Sequence, residues 1–213
     1  MSKLICVMGE SGSGKTTAMR TLDPKSTYYV DVDGKGLTWK GWKDQYSPKS
    51  KNYSKVSDIP KISTLLANIN DHGEHIKTVV IDTLNTAMVD KEVRSMSEKG
   101  YDKWVDLAQY VWTLIKDAAE LRDDLTIVFV MHSETVRDDS GNIFTHVRTN
   151  GRKLEKLVLE SLFNVVLLAK RTDDGHYVFE TASNHSTSKA PMGALEQEVP
   201  NDMAAVLKAL ADY

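Results

Sequence analysis

One cysteine, Cys6, is all that the 213 residues contain. No intrachain disulfide is available, and a lone cysteine in an apolar segment reads as a small core residue suited to a reducing compartment. An excess of positive charge is also missing. Lysine and arginine number 27 against 30 acids, for a formal charge of −3 and a pI near 6.1. Any contact with nucleic acid must then come from a local patch. No apolar run is long enough to cross a membrane, and the first residues lack the pattern of a signal peptide, which predicts a cytoplasmic protein without a membrane partner. Internal repeats, linkers and low-complexity tracts are absent. With 41% hydrophobic and 27% charged residues, the sequence predicts one folded domain over residues 1–213.

What is present is a phosphate loop. Gly9-Glu10-Ser11-Gly12-Ser13-Gly14-Lys15-Thr16, with Thr17 behind it, satisfies G-x-x-x-x-G-K-[ST] at every fixed position. Glycine permits torsions closed to other residues and lets main-chain N–H groups converge on an anion. Residues Gly9 to Thr17 are therefore predicted to surround the phosphates of ATP. Lys15 would neutralise β- and γ-phosphate charge, and Thr16 would offer its hydroxyl to Mg²⁺. The flanks agree: Lys3 to Met8 reads as a buried strand, and Thr17 to Leu22 as a helix stopped by Asp23-Pro24. The helix N-terminus would add its dipole to the same anion.

Three later strands are predicted to end in polar groups, where ligands bind in an open α/β sheet. Thr27 to Asp33 ends in two acids and a glycine. Asp33 is preferred over Asp31 as the carboxylate that orients the attacking water; the alternative is that both open a solvated turn. Lys77 to Thr83 is an apolar run closing on Asp82, the pattern of a Walker B segment, and Asp82 is expected to hold Mg²⁺ across from Thr16. Leu125 to Met131 ends at His132, which reads either as a sensor of the γ-phosphate or as a cap on its strand.

Between these strands lies more equivocal material. Residues 34 to 57 mix Lys35, Lys40, Lys43, Lys49, Lys51 and Lys55 with Trp39, Trp42, Tyr46 and Tyr53. They read as a surface excursion whose rings pack inward, or as a grip on a single strand of nucleic acid. Ser57-Asp58-Ile59-Pro60 starts a helix. Helices are also expected over Leu84 to Ser97 and Tyr101 to Arg122, the latter with Trp104, Ala108, Val111, Trp112, Ile115 and Ala118 on one face.

Asp138-Asp139-Ser140-Gly141-Asn142 predicts the turn of a hairpin within Thr135 to Asn150. A helix is expected from Arg152 to Leu162. Arg137, Arg148, Arg152 and Lys153 form the candidate DNA surface, with a solvated helix face as the plainer alternative. A C-terminal β-hairpin is expected from strands at residues 164–170 and 177–180, then a polar loop carrying Lys189 and a short helix from Ala204 to Leu210. Lys189 could reach a nucleotide on a neighbouring subunit.

In order along the chain, the loop near residue 1, Asp31-Val32-Asp33-Gly34, Val79-Val80-Ile81-Asp82-Thr83, His132-Ser133-Glu134, Asn150-Gly151-Arg152-Lys153-Leu154 and Ser188-Lys189-Ala190-Pro191 resemble a family. The chain is similar to phage-encoded P-loop ATPases with a minimal RecA-like core, the AAA-family nucleotide-binding proteins. Some of these act as single-strand annealing recombinases. The resemblance covers nearly the whole chain. It implies an α/β fold with a mainly parallel central sheet flanked by helices, and Mg²⁺-dependent ATP hydrolysis coupled to single-stranded DNA. It also implies self-assembly into a homo-oligomer and cooperation with a single-strand DNA-binding protein in the bacterial host cytoplasm. Asp33 matches the place of a catalytic glutamate, one methylene shorter. His132 matches a polar switch residue, Thr135 to Asn150 a DNA-binding loop, and Lys189 the lysines that act across a subunit interface.

Two other classes fit the loop. A small-molecule kinase would carry it too, with an arginine-rich lid for which only Arg137, Arg148 and Arg152 are candidates. A nucleotide-dependent adaptor would bind ATP with little turnover.

Overall fold

In a computed structural model the backbone is described for residues 1–95, 102–150, 154 and 157–213, and the side chains for these except residues 102–105. Nine strands are hydrogen-bonded among the described residues. In chain order they are β1 (Lys3–Gly9), β2 (Thr27–Asp31), β3 (Tyr53–Ser54), β4 (Thr78–Asp82), β5 (Thr126–Arg137), β6 (Ile143–Val147), β7 (Val165–Arg171), β8 (Tyr177–Glu180) and β9 (Glu198–Pro200). The sheet runs β3-β2-β4-β5-β1-β7-β8-β9, with β6 attached to β5. Pairings from β3 through to β7 are parallel, while β7–β8, β8–β9 and β5–β6 are antiparallel. This is the expected mixed α/β fold, with its C-terminal hairpin.

The central strands are nearly all apolar because both faces of the sheet are covered. Side chains alternate between two cores. Leu4, Cys6 and Met8 of β1, Val79 and Ile81 of β4, and Ile127, Phe129 and Met131 of β5 enter one. That core also takes residues of α2 (Ile59–His72), α3 (Leu84–Arg94) and α4 (Asp102–Ala119). Ile5, Val7, Val80, Val128 and Val130 enter the other, with Tyr29, Tyr46, Tyr53 and residues of α5 (Met203–Ala209). Parallel register brings the carboxyl ends of the strands to one edge: Gly9 lies beside His132, and Asp31 beside Asp82.

Several elements differ from their sequence-based expectation. The segment after the phosphate loop is a 3₁₀ helix, Thr17–Thr21, and not an α-helix. Only five residues precede Leu22, which is already extended, and the residue before Pro24 is barred from the helical region. Residues 34 to 57 hold a short helix, α1 (Trp42–Gln45), as well as β3. Their aromatic rings pack inward: Trp39 and Tyr46 meet Tyr29 edge to face at 6.3 and 5.5 Å, and Trp42 lies 5.4 Å from Tyr53. A stacking platform for nucleic acid is therefore not presented by these rings.

Of the predicted helix from Arg152, residues 151–153 and 155–156 lie outside the described residues. Leu154 is in a 3₁₀ conformation, Leu157 and Val158 are not helical, and Leu159–Leu162 forms a 3₁₀ turn. Val158 is 62% exposed. The chain is held there by Glu160, whose buried carboxylate accepts from Val147 N (2.7 Å) and Thr187 Oγ1 (3.0 Å). Trp112, expected in the core, is 36% exposed, and Trp104 lies outside the described side chains. Strand β9 was not anticipated.

Candidate nucleotide site

The loop between β1 and the 3₁₀ helix is shaped by glycines. Gly12 and Gly14 have φ of +81° and +92°, torsions that side chains disfavour. At Gly9 a Cβ would stand 2.6 Å from the carbonyl oxygen of Ala169 on β7, so only glycine lets the loop leave the sheet there. Lys15 folds back into the loop. Its ammonium donates to the carbonyls of Gly9 (2.7 Å) and Glu10 (2.6 Å), and only 6% of the residue is exposed. Burial pulls its pKa down from 10.5 to about 8, against the attraction of Asp82.

Asp82, at the end of β4, meets the loop directly. Its Oδ2 accepts from Thr16 Oγ1 (2.8 Å) and from the phenol of Tyr29 (2.5 Å). Its Oδ1 is buried with no partner. An unpaired carboxylate oxygen in a dry site costs about 1–3 kcal/mol. Burial holds the Asp82 carboxyl above its ordinary pKa. A hydroxyl and a carboxylate 2.8 Å apart, with one oxygen unspent, are the hard donors that a divalent cation takes. These residues fit Mg²⁺.

The two acids of the second strand separate clearly in their surroundings. Asp31 is buried: its Oδ2 accepts from Gly36 N (2.8 Å) and Tyr53 OH (2.6 Å), and its Oδ1 from Gly34 N (2.9 Å). It is spent on shaping the turn. Asp33 is half-buried, and its Oδ1 accepts from Thr83 Oγ1 (2.8 Å) and Thr86 Oγ1 (2.5 Å). Lys35 pairs with its other oxygen. Burial pushes the Asp33 carboxyl up, but Lys35 and the two threonines outweigh it and hold its pKa at about 2.

His132 lines the same cavity, of about 740 Å³, with residues Ser11 to Thr17 other than Ser13, and with Arg20, Lys35, Thr38 and Thr83. Burial first, and then the charge of Lys15, hold its imidazole below the usual pKa, so it is neutral at pH 7. Its backbone N–H donates to Asn85 Oδ1 (2.6 Å), and Asn85 Nδ2 donates to the Arg148 carbonyl (2.7 Å). The buried Asn85 amide thus ties the start of α3, next to Asp82, to both strands of the β5–β6 hairpin.

The structure brings together Gly9 to Thr17, Asp33, Asp82 and His132. It does not bring Lys189 to them: that residue is exposed and does not line the cavity, and its backbone pairs with Val166 beside β7. Nor do the predicted DNA contacts form one patch among the described residues. Arg148 N bonds His132 O at the base of the hairpin, while Arg137 sits five residues further along β5, about 17 Å away. Arg152 and Lys153 lie outside the described residues. The sequence reading missed Lys35, Tyr29, Asn85, Arg20, Tyr177 and Asn201. Only Lys35 carried a local signal, two residues after Asp33.

A family model described as an AAA domain matches residues 2–190. The solved structure of a KaiC-like protein from the hyperthermophilic archaeon Pyrococcus horikoshii superposes with a TM-score of 0.53 at 11% identity, over 83% of this chain and 76% of that one. At that identity the likeness is one of fold. No protein with a curated description matches.

Proposed function

We propose, from the premise that this chain belongs to the AAA-domain family of P-loop ATPases, that it binds ATP with Mg²⁺ at the Gly9–Thr17 loop and hydrolyses the γ-phosphate. The observation that carries this reading is the 2.8 Å bond between Thr16 Oγ1 and Asp82 Oδ2, with Asp82 Oδ1 left unpartnered. Mg²⁺, when bound there, would neutralise charge on the β- and γ-phosphate oxygens. Thr16 and Asp82 would hold it. Lys15 would exchange its two loop carbonyls for phosphate oxygens, which compete well for a buried ammonium because they are charged.

Asp33 is the carboxylate best disposed to orient the attacking water. With a pKa of about 2 it stays ionised and accepts a hydrogen bond without taking the proton in the ground state. Asp33→Ala is therefore expected to lower turnover by about ten- to a hundredfold, less than the 10²–10⁴ typical of a full general base. ATP affinity should be retained. Steady-state hydrolysis with a parallel binding titration checks this; unchanged turnover would remove Asp33 from the mechanism, and ATP binding with little turnover in the parent would favour the adaptor reading.

Nucleotide affinity should also depend on pH. Lys15 titrates at about 8 in the free protein, and phosphate beside it would raise that value, so binding takes up a proton above pH 8. Affinity should be constant below about pH 7 and fall by up to tenfold per pH unit above 8. A pH-independent affinity from 7 to 9.5 would place the Lys15 ammonium outside the phosphate contact.

The hairpin is the natural place for a partner to influence turnover, because Asn85 joins its base to the helix that follows Asp82. It exposes Arg137 and Arg148, and the proposed partner is single-stranded DNA met by a homo-oligomer, as in recombination ATPases, alongside a single-strand DNA-binding protein. ATP hydrolysis measured with and without single-stranded DNA tests it; turnover indifferent to DNA would reject this part and leave the ATPase reading standing. A kinase reading is less favoured: Arg20 is the only arginine among the described residues of the cavity.

A further inference from the structure

The far wall of the cavity is not used by the proposed hydrolysis. It is built by Tyr177 at the start of β8 and by Pro200, Asn201 and Asp202 between β9 and α5, and it faces the phosphate loop. We propose that this wall is the nucleobase subsite, with the Tyr177 ring stacking on the aromatic base of the nucleoside triphosphate and the Asn201 amide completing its edge. The inference rests on the ATPase reading and adds the residues that would select a nucleoside over bare phosphate.

The direction of the ligand follows from the site itself. Thr16, Asp82, Thr83 and His132 mark the cation and terminal-phosphate end of the cavity. The remainder of a nucleotide would extend past Thr17 toward Arg20, with Thr38 beside Thr17 (3.0 Å between the hydroxyls) and the C-terminal wall beside Arg20. It is preformed: Arg20 Nη1 donates to the carbonyls of Thr17 (2.9 Å) and Asn201 (3.2 Å), and Thr21 Oγ1 donates to Asp202 Oδ1 (2.8 Å). Asn201 N bonds the Tyr177 carbonyl (3.2 Å), which links the two residues of the proposed subsite.

Two further observations indicate a ligand. Tyr177 is 46% exposed although its ring reaches the loop, where a Cβ on Gly14 would lie 2.9 Å from its Cδ1. The Arg171 guanidinium lies over the ring, 5.9 Å from its centroid, and the exposed remainder of an aromatic ring in a cavity of this size is a stacking surface. Asn201 is only 5% exposed, and its Nδ2 has no hydrogen-bond partner. A buried amide with an unspent donor beside a phosphate loop is costly unless something accepts from it. A base carries ring nitrogens and carbonyls that do.

Calorimetric titration of the full chain with ATP and with inorganic tripolyphosphate, both with Mg²⁺, tests the assignment. Tyr177→Ala is expected to weaken ATP about tenfold and leave tripolyphosphate unchanged. Tyr177→Phe, which keeps the ring, should bind both as the parent does. Asn201→Ala should weaken ATP alone, by a smaller factor. If Tyr177→Ala leaves ATP unchanged, or weakens both ligands equally, the subsite is wrong, while binding of both ligands by the parent and their joint loss in Lys15→Ala would still uphold the phosphate loop. If the parent binds neither ligand, the ATPase reading falls and the base subsite falls with it.

Discussion

Lys15→Ala should lower ATP turnover by about a thousandfold, the scale on which removal of a preorganised charge or donor is felt in phosphoryl and acyl transfer. The expectation has a thermodynamic counterpart. In the free protein Lys15 is an ammonium buried among carbonyls, and burial depresses its pKa from 10.5 to about 8. A base with a depressed folded pKa costs the fold stability while it is charged. That cost is full below about pH 8 and fades as pH rises toward the unfolded value of 10.5. The alanine variant should therefore be at least as heat-stable as the parent at pH 7, and its advantage should shrink by pH 10. Thermal melts at the two pH values, run beside the hydrolysis assay, check both halves. An inactive variant that also melts much earlier would mean that lost folding explains lost turnover.

Asp82→Asn should produce a loss of similar size, and by a different route. The change keeps the shape that Thr16 and Tyr29 bond but removes the charge a divalent cation needs. Turnover at saturating ATP should fall by about a hundred- to a thousandfold, and higher Mg²⁺ should restore only part of it. Stability should move the other way. The Asp82 carboxyl has its pKa raised by burial, so it contributes most when protonated, below the unfolded value near 3.8, and loses that contribution as pH rises through its folded pKa. At neutral pH the ionised group is a strain on the fold, and neutral asparagine should relieve it. A site that stabilises the protein when neutralised and silences it at the same time is a functional site by the usual trade-off. If Asp82→Asn retains parental turnover and Mg²⁺ dependence, the cation is held elsewhere.

Asp31 and Asp33 illustrate how far sequence reasoning reaches. Both stand at the end of one predicted strand, and position favoured Asp33 because it is the last. In the structure Asp31 is consumed by two backbone N–H groups and a tyrosine, while Asp33 meets Thr83, Thr86 and Lys35. Of those partners only Lys35 is legible locally, since Thr83 and Thr86 lie about fifty residues away. The lysine-and-tryptophan stretch illustrates the opposite limit. Its composition suits a nucleic-acid surface, yet Trp39 and Tyr46 pack edge to face against Tyr29 of β2, where burying the rings together is favourable.

The sequence by itself determined the phosphate loop, the apolar strands around it and the α/β class. These depend on short-range rules: glycine torsions, the reach of a lysine, and continuous apolar runs that only a sheet covered on both faces can bury. Tertiary structure alone decided which strand ends lie side by side, that Tyr29 and Thr16 share one oxygen of Asp82, that Asn85 joins Asp82's helix to the hairpin, and that Tyr177 and Asn201 close the cavity. Parallel strands are connected by long crossovers, so neighbours in the sheet are distant in the chain, and no local pattern encodes a contact between Gly14 and a residue more than 160 positions later.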